Sequence, residues 1–284
     1  MENKIALVLG GGGLRGAYGA GVAAGLDMQF DAYYGSSVGV FATTFHLAGQ
    51  RDTIENTWIN HVDGTKLVNL KNSPRKNGKH KLNLDYLLGT FQNHVSHLDL
   101  DMIFDEKGFQ RKRLIYALTD VRTGKPIYIS PNRDNIFHYM KGSAALPLVN
   151  EPQLVEGNFV MDGGISDGLP VKKAIEDGYG EVVSVVNKPR TFDDGIVSNC
   201  LWYIAGWLHS KPIRQAMHAH KKQVEETEAY LAHNTKQIHI IRPSAPLPLR
   251  SKLDTNRDRL IETFEIGRQD AKNFLRTFKS RAPN

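Results

Sequence analysis

Two glycine-framed elements near the start of the chain carry residue types suited to acyl-transfer chemistry: Gly11-Gly12-Gly13-Leu14-Arg15-Gly16 and Gly35-Ser36-Ser37-Val38-Gly39. The second has the G-x-S-x-G spacing of a nucleophile elbow, in which a sharp strand-to-helix turn exposes the central serine, here Ser37. Ser36 is not at the nucleophile position. The first offers clustered backbone N–H groups at a helix N-terminus, where negative charge is stabilised. An anion cradle shortly ahead of an exposed serine suits the oxyanion of a tetrahedral acyl intermediate.

A serine nucleophile needs a base. The chain has 11 histidines, and none stands in a telling motif. His209, His218, His220, His233 and His239 fall in or near a basic C-terminal part and read as surface or satisfied side chains. The Ser, Asp/Glu, His order of an α/β-hydrolase also places its elbow deeper in the chain than one following the second strand. Asp162 is the better candidate. It ends a strand, and Gly163 and Gly164 leave the backbone room to approach another segment. A carboxylate beside a serine can take its proton directly if burial raises its pKa toward working pH. Taken alone, Asp-Gly-Gly is also an ordinary turn signal.

The glycine loop has a rival reading. Gly11-x-Gly13-x-x-Gly16 after a strand is the dinucleotide-binding spacing, which expects an acid at the end of strand two. The available acid, Asp31, lies at the start of that strand, and Gly35-Ser36-Ser37 occupies its end. An oxidoreductase of that kind lacks its ribose-binding carboxylate.

The elements that must position these residues alternate as strand and helix, which argues for a parallel sheet with helices on its faces. Strands are expected at Lys4–Leu9, Phe30–Tyr34, Asn158–Met161, Glu181–Val186 and Gln237–Ile241, with a hairpin of Arg113–Thr119 and Pro126–Ser130. Helices are expected from Leu14 to Leu26, from the Ser37 turn to Ala48, over 51–64, from Asn135 to Gly142, from Pro170 to Asp177, and over 213–232 and 253–278. From Leu67 to Asp99 the periodicity weakens. Lys71, Arg75, Lys76, Lys79 and Lys81 fall together there without an acid, which reads as a mobile basic loop or insertion.

Bulk properties bound the rest. A chain of 284 residues with 40% hydrophobic and 23% charged content suits a globular protein with a sizeable core. The single cysteine, Cys200, excludes an intramolecular disulfide and fits a reducing compartment, hence a cytoplasmic protein. Lys4–Leu9 is too short for a signal peptide's apolar region, and no apolar run, Leu201–Leu208 included, is long enough to span a membrane. Residues 209–284 hold 15 Lys+Arg and 8 Asp+Glu, so the whole net charge of +6 lies in that quarter. Such a surface reads first as solvated helix faces; peripheral contact with an anionic membrane is the functional alternative. No nucleic-acid recognition motif and no calcium-binding spacing appear.

The order Gly-Gly-Gly-x-Arg-Gly, Gly-x-Ser-x-Gly, Asp-Gly-Gly resembles the patatin-like phospholipases, in particular their bacterial branch. Gly142-Ser143-Ala144-Ala145-Leu146-Pro147 is similar to the family's Ala-Ser-x-Ala-x-Pro stretch. Asp162-Gly163-Gly164-Ile165-Ser166-Asp167-Gly168-Leu169-Pro170 matches a further segment, except that Gly168 stands where the family often has asparagine. The resemblance is clear over about residues 4–190. It implies an α/β fold, a three-layer α/β/α sandwich with a mostly parallel central sheet. It implies a Ser37–Asp162 dyad, an oxyanion hole from the N–H groups of Gly11, Gly12 and Gly13, and an Arg15 that holds the loop or faces an anionic headgroup. Gly16 closes that loop, Gly35 and Gly39 frame the elbow, and Gly163 and Gly164 support the aspartate. The implied chemistry is hydrolysis of acyl-lipid esters, with phospholipid as the expected substrate and neither metal nor cofactor. The expected organisation is a catalytic core over 1–190 and a C-terminal helical, basic extension over 191–284, with a late strand near 237–241, packed on the same domain. The competing reading is a lipid- or membrane-binding scaffold of the same fold with little turnover.

Overall fold

The computed structural model describes residues 4–62, 64–69, 71–72, 81–93, 96–147, 149–190 and 209–279. Arg75, Lys76, Lys79, Cys200 and Leu201–Leu208 lie outside them. Eight strands form one sheet: β1 (Ile5–Leu9), β2 (Ala32–Ser36), β3 (Arg113–Asp120), β4 (Pro126–Ile129), β5 (Gln153–Val155), β6 (Asn158–Asp162), β7 (Glu181–Val185) and β8 (Ile238–Ile241). The order is β5-β6-β3-β2-β1-β7-β8, with β4 paired to β3 off this path. The run β3-β2-β1-β7-β8 is parallel, whereas β4 and β6 pair antiparallel with β3, and β5 with β6. Among the described residues the helices longer than one turn are α1 (Gly16–Gly25), α2 (Gly39–Leu47), α3 (Arg51–Asn56), α4 (Leu84–Gln92), α5 (Ile136–Ser143), α6 (Val171–Glu176), α7 (Lys211–His233) and α8 (Arg257–Lys279).

Strand alternation sorts the core into the two faces that make three layers. Leu7, Leu9, Tyr33, Tyr116 and Val185 enter the larger cluster with residues of α1, α2, α4, α5 and α8. Ala6, Val8, Tyr34, Ile115 and Val182 enter the other with Val171 and Ala174 of α6 and Leu231 of α7. Both faces of the parallel strands are therefore covered, which is why β1 reads as a continuous apolar run rather than an alternating one.

Helix α1 is buried from Gly16 through Ala23, so it has no amphipathic stripe. Its outer side is covered by α8. A Cβ on Gly21 would strike the Phe264 carbonyl, one on Gly25 would lie 2.8 Å from the Arg268 carbonyl, and one on Gly267 would strike the Tyr18 carbonyl. Backbone thus packs on backbone at this crossing. Tyr18 donates to Asp270 at 2.7 Å, and Arg268 pairs with Glu55 of α3 at 3.2 Å. The Arg268–Glu55 pair draws one C-terminal cation onto an acid of the N-terminal part, whereas Arg242–Glu228 and Arg259–Asp254 pair within the C-terminal region and leave its net charge as it was.

Three expectations change. The 51–64 helix ends as α3 at Asn56 and continues as a wide turn over Thr57–His61. The Leu67–Asp99 stretch, expected to be a basic loop, contains α4, whose Leu84, Leu87, Leu88 and Phe91 are buried. The last helix starts at Arg257 rather than near Leu253, because the Asp254 carboxylate accepts the N–H groups of Arg250 and Asn256 at 2.8 and 3.0 Å and bends the chain there.

Candidate active site

The register of β3 brings the elbow and the aspartate together. Ser36, the last residue of β2, pairs with Ala117, and Asp162, the last residue of β6, pairs with the next residue, Leu118. The Ser37 hydroxyl donates to Asp162 Oδ2 at 2.7 Å. Ser37 has φ +53°, a left-handed conformation that a non-glycine residue adopts only when its surroundings enforce it. The enforcement is visible. The Ser37 N–H donates to Ser143 Oγ at 3.0 Å, and Ser143 donates in turn to the Ala117 carbonyl at 2.7 Å. A Cβ on Gly39 would strike the Leu9 carbonyl, and one on Gly35 would lie 2.7 Å from Val40 Cα. Only glycine frames let the strand turn into α2 this sharply. Ser36 Oγ donates to the Asp167 carbonyl at 2.8 Å, so the neighbouring serine anchors the turn.

Asp162 is 1% exposed. Its Oδ1 accepts the Gly164 N–H at 2.7 Å, its N–H donates to the Ala145 carbonyl at 3.0 Å, and its carbonyl accepts from Thr119 at 2.8 Å. Gly163 is pressed on the Ala117 carbonyl, where a Cβ has no room. Burial pushes the Asp162 carboxyl up to about 6, against the opposing pull of the Ser37 hydroxyl, the Gly164 N–H and the Lys252 charge. The segment 142–147 therefore braces both members of the pair, through Ser143 and Ala145.

The glycine loop lies against the serine, with Gly11 so close that a Cβ would be 2.9 Å from Ser37 Cβ. Its N–H groups are not equivalent. Gly10 donates to Val185, Gly11 to the Gly168 carbonyl at 2.9 Å and Leu14 to the Lys252 carbonyl at 2.8 Å. The N–H of Gly11, expected in the oxyanion hole, is thus already engaged. Those of Gly12 and Gly13 have no acceptor among the described residues. Asn187, just beyond β7, donates to the carbonyls of Gly10 and Gly11 at 2.8 and 3.1 Å. In a planar trans peptide the N–H points opposite to the carbonyl, so the grip on the Gly11 carbonyl turns the Gly12 N–H away from Asn187. Gly13 has φ +59°, and its α-carbon faces the Lys252 carbonyl, where an added Cβ would lie at 2.5 Å. Arg15 is 8% exposed, so its charge is held within the loop rather than presented to solvent. Gly16 packs on Val38, the residue after the serine.

Asp31 resolves the rival nucleotide reading. Its carboxylate accepts the Ile5 N–H at 2.8 Å, which ties it to the start of β1 rather than to the glycine loop at that strand's far end. Histidines are engaged elsewhere: His46 Nε2 on the Leu26 carbonyl, with burial lowering its pKa to about 4, and His239 on Glu181.

An apolar cleft opens at Ser37. Val38 and Phe41 of α2, Leu84, Leu87 and Phe91 of α4, and Ala144 and Leu146 line it. Thr57, Trp58 and Val62 follow from the wide turn after α3, and Leu253 from the C-terminal region. Val38, Ala144 and Leu146 fall within motifs noted in the sequence, but no residue was read there as the wall of a cleft. The Leu84-x-x-Leu87-Leu88-x-x-Phe91 spacing is the helical signal that marks α4, hidden beside the lysine cluster.

Comparison with known proteins agrees with this geometry. The profile of the patatin-like phospholipases matches residues 7–175, and that of a domain of unknown function (DUF6363) matches residues 211–282. The uncharacterized protein YjjU of Escherichia coli (strain K12) is 25% identical over 292 aligned residues, covering 98% of this chain and 78% of that protein. The fold is similar to that of VipD from Legionella pneumophila, at TM-score 0.50 and 14% identity over 97% of this chain and 67% of that one. The patatin-like match takes in more than half of the chain, including the glycine loop, Ser37 and Asp162, and the chain belongs to the patatin-like phospholipase family, a family of lipid acyl hydrolases.

Proposed function

We propose that the chain is a serine hydrolase of carboxylic esters in acyl lipids, working through a Ser37–Asp162 dyad. The observation that carries this reading is the 2.7 Å hydrogen bond from Ser37 Oγ to a buried carboxylate at the mouth of an apolar cleft. The acyl chain lies in the cleft, which places the ester carbonyl over Ser37. Asp162 accepts the hydroxyl proton as Oγ attacks, and a carboxyl poised at about 6 is ionised yet still basic at neutral pH. Oxyanion charge is met by the N–H groups of Gly12 and Gly13. Asp162 returns its proton to the leaving alkoxide, and an acyl-enzyme remains on Ser37. It then takes a proton from water, whose hydroxyl oxygen attacks the acyl carbon, and gives it back to Ser37 Oγ as the fatty acid leaves.

Phospholipid is the expected ester source. In this reading the basic C-terminal region is the side that faces anionic headgroups; no helix among the described residues is long and apolar enough to cross a membrane. Fluorophosphonate labelling and p-nitrophenyl ester hydrolysis test the reading. Wild type labels at Ser37 and turns over. Ser37→Ala does not label, and both Ser37→Ala and Asp162→Asn lose kcat by roughly a thousandfold or more while staying folded. Full activity in either variant rejects the dyad, and binding to anionic vesicles without any esterase activity favours the scaffold reading.

A further inference from the structure

The loop over 250–256 belongs to the region matched only by a domain of unknown function, yet it reaches the reacting centre by two contacts and one through-space charge. The Lys252 carbonyl accepts the Leu14 N–H at 2.8 Å and abuts Gly13. The Lys252 charge acts on Asp162. Leu253 lines the cleft beside Ser37. One buried carboxylate fixes this loop. Asp254 accepts from Arg250 and Asn256 N–H groups and from Arg259 Nε and Nη2 at 2.9 and 2.8 Å. Such a bidentate arginine pair sets geometry as well as adding energy. Arg259 sits on α8, which is locked to α1 by the close backbone crossing, and α1 carries the glycine loop at its start.

We propose that the C-terminal region is a working part of the site: its 250–256 strap, clamped by Asp254 and Arg259, forms the wall that sets which acyl chains the cleft accepts and holds the glycine loop in register. The proposal rests on the acyl-hydrolase reading for its substrate class, but not for its geometry. Leu253 is the specificity-determining residue, and Asp254 is a positioning residue that acts through the strap.

Two measurements on the full chain separate the proposal from the reading it extends. In a Ser37→Ala background, which binds without turnover, equilibrium binding of straight-chain fatty acids from C8 to C16 is compared with and without Leu253→Trp. Binding of C16 relative to C8 should weaken at least tenfold, with Leu253→Ala shifting the ratio the other way. In the active protein, Asp254→Asn should lower kcat at least fivefold for all p-nitrophenyl esters and compress the long-to-short chain ratio of kcat/KM, with Arg259→Lys restoring an intermediate ratio relative to Arg259→Ala. A chain-length ratio unchanged within twofold in folded Leu253→Trp and Leu253→Ala proteins overturns the proposal, as does an unchanged ester profile in Asp254→Asn. A shifted binding ratio in a protein that hydrolyses no ester rejects the hydrolase reading while upholding the strap as the wall of an apolar-ligand site.

Discussion

Replacing Asp162 with asparagine removes a charge buried beneath Ser37 while keeping the side chain's shape. Burial holds this carboxyl at about 6, against 3.8 for an ordinary aspartate. Between those values the folded protein retains a proton that the unfolded chain has released. The group's contribution to stability is therefore full below the unfolded value and lost as pH rises through the folded one. Two units at about 1.36 kcal/mol each put the burden of the ionised form at about 3 kcal/mol at neutral pH. Asparagine does not titrate. The difference in unfolding free energy between Asp162→Asn and the parent should thus grow in the variant's favour by about 3 kcal/mol from pH about 3 to pH about 7, then stay flat. The amide's donation toward Ser37 Oγ adds an offset that does not depend on pH. Urea unfolding of both proteins across this range measures the difference directly. A gap that stays constant, or that moves against the variant as pH rises, refutes the assignment of a buried, reluctantly ionised base. The same ionisation predicts that kcat/KM of the parent falls tenfold per pH unit on the acid side of about 6.

Two further outcomes follow from the glycine loop and its neighbours. Asn187→Ala releases the Gly10 and Gly11 carbonyls, so kcat for p-nitrophenyl esters should fall roughly 10- to 100-fold with little change in KM, short of the full loss of an oxyanion donor; a kcat within twofold of wild type removes Asn187 from the positioning of Gly12. Gly168→Asn introduces a Cβ that meets nothing nearer than 3.6 Å, so urea unfolding should shift by less than about 0.5 kcal/mol, whereas Gly13→Ala, forced to hold φ +59° against the Lys252 carbonyl, should cost on the order of 1–3 kcal/mol. Equal effects of the two substitutions contradict the backbone geometry described for the loop.

A parallel sheet with helices on its faces was legible from local signals, apolar strands and glycines at tight turns, and Asp162 was a candidate base from its place at a strand end; the third layer and the pairing with Ser37 followed from the resemblance to the patatin-like family rather than from any local signal. The commitments of individual N–H groups were not. Gly11 and Gly12 are alike in sequence, and only the Gly168 carbonyl, brought close by the register of β6 against β3, takes one out of use. Asn187 follows β7 without any motif. Helix α4 is short, and its Leu84–Phe91 spacing is preceded by a polar, lysine-rich stretch without helical periodicity, so the two average to a weak signal. Helical periodicity carries the last helix back to Leu253 because it does not record that Asp254 binds the backbone on both sides of itself.

The close crossing of α1 and α8 bears on how the protein is made. The two helices are separated by more than two hundred residues, and α1 is apolar on nearly all sides. On the ribosome, α1 and the elbow emerge well before α8, which cannot cover α1 until it has been synthesised. Contacts of such long range also slow the folding search. Ser37 is thus translated early but its surroundings are assembled late: a nascent chain that already holds Ser37 and Asp162 still lacks the Lys252 carbonyl and the α8 crossing that hold the glycine loop in place.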